Sequence, residues 1–132
     1  MSGRELHPVL SAARRCELME EGIDLFRRGE YFAAHEAWEE IWRSTTPEPR
    51  DLFQGLVQLA AAFHHLHDKR RPEVARRVLA KARRRLATVA PDAEGIDVAA
   101  LLAELERWDA WLAAPVDPAP HPPRVQRHGA IA

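Results

Sequence analysis

The sequence offers little that could staple or anchor it. Cys16 is the only cysteine among 132 residues, so no intramolecular disulfide can form. A lone thiol at a helical position reads as a small buried hydrophobe in a reducing compartment. Residues Met1 to Pro8 contain no apolar run that could form the core of a secretory leader. The longest uncharged stretch, Leu52 to His67, is sixteen residues with five polar members, short of the roughly 20 apolar residues that cross a bilayer. Together these lacks point to a cytoplasmic chain with no membrane partner.

Strand signals are also missing. No period-two alternation persists, and β-branched residues are few. The motifs of common catalysts are equally scarce: there is no glycine-rich phosphate loop and no Gly-x-Ser-x-Gly turn. His35 has no second histidine four residues on, as a zinc-protease helix requires, and no Glu-x-x-His pair marks a di-iron bundle. No catalytic residue, metal ligand or cofactor is assigned on motif grounds.

What remains is helical spacing throughout an apolar content of 46%, which predicts an all-α, compact bundle of about five helices built from antiparallel hairpins. The first helix spans about residues 12–28, with Met19, Ile23 and Phe26 inward and Gly29 as its terminator. A one- or two-residue link forces the second, about 31–43, to fold back on it. Thr46 is placed as the cap of a third helix, with Pro47 and Pro49 in its first turn and its end near His67. A fourth runs from about Glu73 to Ala90, and Asp97 caps a fifth. Residues 1–114 form a single domain. Residues 115–132, with five prolines in the first nine positions, are expected to be a disordered tail.

Net charge is −1, but its signs are segregated: ten acids and four bases lie between Glu17 and Asp51, against nine bases and two acids between His64 and Ala90. Acidic early helices packed beside a basic late one would explain this, and so would a basic face for nucleic acid. The first is favoured, because a nucleic-acid binder normally carries an overall positive excess.

Wheel arithmetic selects the polar groups that need an explanation. On the second helix Tyr31, Ala34, Trp38, Ile41 and Trp42 share one arc, with His35 at its edge and Glu39 one turn beyond. Glu36 and Glu40 point the other way. The third helix is apolar around most of its circumference, yet Gln54, Gln58 and His65 form one polar stripe within about 40° at 100° per residue. Buried amides and imidazoles require partners. If the second and third helices pack antiparallel, His35, Glu39, Gln54, Gln58 and His65 meet in one cluster. Three readings stand for it: a structural hydrogen-bond network, a ligand pocket lined by Trp38 and Trp42, and a metal site.

Phe32-x-x-His35-Glu36-x-Trp38-Glu39-x-x-Trp42, followed by Phe53-Gln54-Gly55-Leu56-Val57-Gln58-Leu59-Ala60-Ala61 and His65-Leu66, closely resembles the family called domain of unknown function 309. The resemblance covers about residues 17–86. It implies an all-helical bundle of bacteria and archaea without an established activity, and polar motif residues at His35, Glu36, Glu39, Gln54, Gln58 and His65. The chain departs from that pattern after the third helix, where Lys69-Arg70-Arg71-Pro72 and Val74-Ala75 replace glycine-containing pairs.

The reading that follows is a non-enzymatic helical domain whose inter-helix pocket, formed by His35, Glu36, Trp38, Glu39, Trp42, Gln54, Gln58 and His65, takes a small molecule or a partner segment. The runner-up is a metal-assisted hydrolase with His35, Glu39 and His65 as ligands and Glu36 as base. An RNA-binding module using the arginine-rich fourth helix ranks third. Exposed tryptophan flanks would also suit a homodimer.

Overall fold

The structure, a computed structural model, describes residues 9–44 and 48–127. Among these it is all-helical: α1 (Ala12–Arg27), α2 (Tyr31–Trp42), α3 (Arg50–Phe63), α4 (Pro72–Leu86) and α5 (Val98–Ala113). A π-helical turn, His64–Asp68, extends α3, and a single 3-10 turn, Ala93–Gly95, precedes α5. No helix among the described residues is long and apolar enough to cross a membrane.

The helix ends follow from local chemistry. Ser11 caps α1 by accepting from the Arg14 N–H at 3.0 Å. At its other end Gly29 sits at φ +80° while the Gly29 and Glu30 N–H groups return to the carbonyls of Phe26 and Leu25. That left-handed closure favours glycine and turns the chain back at once into α2. Asp97 caps α5 through the Ala100 N–H at 3.0 Å.

Two boundaries differ from expectation. Helix α3 begins at Arg50 with Pro49 as its flanking cap rather than in its first turn, and the expected cap Thr46, with Pro47, lies outside the described residues. Helix α4 starts on Pro72, where a missing N–H costs nothing, and stops at Leu86, four residues short of Ala90.

Each helix packs on its neighbours in sequence, and the pairs run antiparallel. Phe26 meets Tyr31 across the first link, Phe32 meets His64 at the far end of α3, and Asp51 at the start of α3 meets Arg85 at the end of α4. Edge-on aromatic contacts tie the layers together: Phe26 to Phe63 at 5.7 Å and Phe63 to Trp108 at 5.0 Å between ring centres. Such pairs contribute about 0.5–1.5 kcal/mol each beyond the area they bury.

One further expectation is corrected. Cys16 is exposed, with its sulfur 3.4 Å from Arg127 Nη1, rather than buried. Residues 115–127 make contacts with the helices. Trp108 and Trp111 donate their indole N–H groups to the carbonyls of His121 and Val116, Arg124 N–H donates to Glu104, and Asp97 N–H to the Gln126 carbonyl. Val125 is buried, and Arg127 reaches Glu20 of α1 at 2.6 Å. Prolines prevent regular structure in this segment, yet side chains of α5 partner its backbone and α1 holds the Arg127 side chain. The remainder of the expected tail, residues 128–132, lies outside the described residues. Trp38 and Trp108 are buried, and Trp42 and Trp111 half-buried.

Candidate functional site

Helix α3 is the centre of the bundle, and Gly55 sets how closely α4 approaches it. A β-carbon at Gly55 would stand 2.8 Å from the side chain of Leu86, itself fully buried. On one side of that contact the helices diverge into a groove with a volume of about 500 Å³, lined by Asp51, Gln54, Gln58, Lys81, Arg84, Arg85 and Thr88. This volume is within the range of small-molecule sites. Its floor is the amide pair of α3 and its far wall is the basic end of α4.

Charge in the groove is unbalanced. Asp51 accepts from Arg85 Nη1 at 3.1 Å and lies 3.2 Å from the Thr88 hydroxyl. Arg76 and Arg83 turn away from the groove to Asp109 of α5, at 3.1 and 3.5 Å. Among the described residues, Lys81 and Arg84 have no ion-pair partner. The expected complementarity between acidic early helices and the basic helix is therefore reduced to one acid, Asp51, at the end of the acidic stretch. The Gln58 side-chain oxygen is buried and has no hydrogen-bond partner. An amide turned by half a rotation presents a donor instead, so this position can serve either kind of ligand atom.

A second polar group lies on α2. His35, Glu36 and Glu39 each offer one ligand atom, and the three atoms lie within 4.8 Å of one another. His35 Nδ1 is 3.7 Å from Glu39 Oε1, and Arg43 approaches the other oxygen of the same carboxylate at 3.8 Å. The imidazole stacks on Phe32, with ring centres 5.7 Å apart and planes 14° from parallel. Phe32 is half exposed and is met on its other flank by His64, whose Nδ1–H donates to Asp68 at 2.7 Å.

The eight residues expected to share one pocket are thus distributed over four places. Gln54 and Gln58 line the groove beside α4. His35, Glu36 and Glu39 form their own group, which does not include His65. His65 lies at the π-helical turn, its Nδ1 buried without a hydrogen-bond partner. Burial, with His64, Arg71 and Lys69 adding to it, holds its pKa below that of an ordinary imidazole. Trp38 lines no pocket: it is fully buried against α1, its indole N–H 3.4 Å from the Met19 carbonyl. Trp42 is half-buried against the core and its indole N–H has no partner.

Sequence reasoning missed the α4 side of the groove. For the arginine-rich fourth helix it weighed packing beside acidic helices and an RNA face, not a small groove shared with α3. The available signal was the charge segregation itself, which marked this helix as lacking enough acidic neighbours. His67 also lies in the π-helical turn. Its ring stacks on Tyr31 at 5.4 Å, and burial lowers its pKa, with Asp68 opposing and Arg70 reinforcing the shift.

The model of the family described as Domain of unknown function (DUF309) matches residues 19–78. Over residues 19–78 the chain is similar to this family. No curated protein and no solved structure gives a significant match. The matched segment holds most of α1, all of α2 and α3 and the first part of α4. It contains the groove's two amides and the His35 group, whereas Lys81, Arg84, Arg85 and Thr88 lie beyond it.

Proposed function

We propose that this protein is a non-catalytic binding module whose α3–α4 groove holds a small anionic ligand of the phosphate-ester or carboxylate class. One observation carries the reading: a groove of about 500 Å³ gathers Lys81, Arg84 and Arg85 over the Gln54 and Gln58 amides, while its single acid already holds Arg85. Cations raised on a helix face attract an anion at long range, and the arginine forks and amides fix its orientation at short range. The hydrophobic wall of a typical drug-like pocket is absent from this lining, so charge and hydrogen bonds provide the recognition. The groove's one carboxylate, Asp51, is held by Arg85 and Thr88, which favours binding over general-base chemistry.

Thermal unfolding in the presence of inorganic pyrophosphate, at constant ionic strength, tests this. A ligand at ten times its Kd stabilises by about 1.4 kcal/mol, which raises Tm by about 5 °C in a chain of this size. The double variant K81E/R84E, at two exposed positions, should lose that rise while keeping its own Tm. No rise in the wild type, or the same rise in the variant, would overturn the proposal. Retention of RNA on α4 with no response to pyrophosphate would transfer the groove to the nucleic-acid reading.

A further inference from the structure

A separate polar group on α2, outside the groove, has the composition and spacing of a metal site. His35, Glu36 and Glu39 stand at i, i+1 and i+4: Glu39 is a helix neighbour of His35 at four residues and of Glu36 at three, so it bridges the two. Their ligand atoms lie within 4.8 Å of one another. Two ligands on a tetrahedral zinc ion with bonds of roughly 2.1 Å are about 3.4 Å apart, and His35 Nδ1 to Glu39 Oε1 is already 3.7 Å. Rotation about the side-chain bonds of exposed Glu36 closes the remainder.

Two features of the surroundings point the same way. His35 Nδ1 is buried from water yet has no hydrogen-bond partner, a state that costs free energy unless some group accepts the lone pair or proton. The ring is also held in place before any ion arrives, because it stacks on Phe32 and Phe32 is backed by the His64–Asp68 pair. An exposed phenylalanine gains little in stability at that position, but it fixes the imidazole plane, as the supporting shell of a metal ligand must. Arg43 does not block the site: it contacts Oε2 of Glu39 and leaves Oε1 toward the histidine.

We infer that His35, Glu36 and Glu39 bind one divalent first-row transition ion, such as Zn²⁺, on the exposed edge of α2. One imidazole and two carboxylates suit zinc or manganese rather than a soft cuprous ion or a calcium cage. The site is independent of the anion groove, to which none of the three residues belongs.

The test is isothermal titration of the full chain, stripped with chelator, with Zn²⁺, repeated as a Co²⁺ titration read by visible absorption. The wild type should bind one equivalent. Loss of a group that merely supports a ligand weakens a metal site by about 10–100-fold, so H35A and E36Q should each weaken binding by at least about tenfold. His35 is one of seven histidines, and binding elsewhere on the chain would survive both substitutions. Binding that is equal in wild type and variants therefore overturns the inference, as does no saturable binding by the wild type. Should H35A fail to fold, E36Q decides alone, since Glu36 is exposed and makes no ion pair in the described structure.

Discussion

Two helix pairs in this molecule use the same device to opposite ends. In the α1–α2 pair, Gly22 lets Trp38 approach so closely that a β-carbon would be 2.2 Å from its indole nitrogen. In the α3–α4 pair, Gly55 does the same for Leu86 at 2.8 Å. The first contact lies within the buried apolar core, where Trp38 also meets Phe26 and the Met19 carbonyl. The second is bordered by Gln54, Gln58, Asp51 and the basic end of α4, and it opens to water. Close helical approach thus supplies stability where both flanks are apolar. Where one flank carries amides and cations, it supplies a floor for a groove.

Substituting the two glycines gives the largest test of that contrast. Overpacking costs typically 1–3 kcal/mol, offset by the roughly 0.5–1 kcal/mol that alanine gains over glycine within a helix. Gly22→Ala should fall near the upper end, about 2–3 kcal/mol, because a rigid indole with no free volume must move. Gly55→Ala should cost less, about 1 kcal/mol, because the leucine side chain it meets is smaller and deforms more readily than an indole. Urea unfolding measures both, and equal losses would erase the distinction between the two interfaces.

A smaller effect is expected from drying the groove. Gln58→Leu removes a buried oxygen that has no partner, and unpaired buried polar groups cost about 1–3 kcal/mol. Stability should therefore rise by up to about 1 kcal/mol while the response to pyrophosphate declines. A fall in stability would mean that the amide supports the fold itself.

The smallest effect is a pH dependence centred on the π-helical turn. His65 and His67 both have pKa values lowered from 6.5, in each case first by burial. Below about pH 6.5 the unfolded chain takes up protons that the folded rings resist, so this contribution is complete above that pH and is lost as pH falls. Unfolding midpoints measured from pH 7.5 to 5 should decline, and His65→Gln together with His67→Gln should flatten the slope. Because His67 is exposed and His65 only partly buried, solvent screening keeps the effect modest.

Much of this was legible before any coordinates. Gly29 and Asp97 act through neighbours three to five residues away, so these helix ends can be read from local chemistry. The i, i+4 relation of His35 and Glu39 was visible for the same reason, as was the alignment of Gln54 with Gln58. His65 was placed less well, because stepping 100° per residue assumes an unbroken α-helix and the turn from His64 to Asp68 is π-helical. The contacts of residues 115–127 were hidden too, since they depend on indole, carboxylate and backbone partners located on α5 and α1.

The one-dimensional pattern settled the number of helices, their apolar faces and the hairpin order, because those depend on short-range periodicity and on links too short to do anything but reverse the chain. Packing in three dimensions decided which neighbour each polar stripe meets. A wheel gives a stripe's direction only about its own axis; the close approach permitted by Gly55, between residues 31 positions apart in sequence, aligned the amides of α3 with the cations of α4 and left the His35 group on an edge of its own.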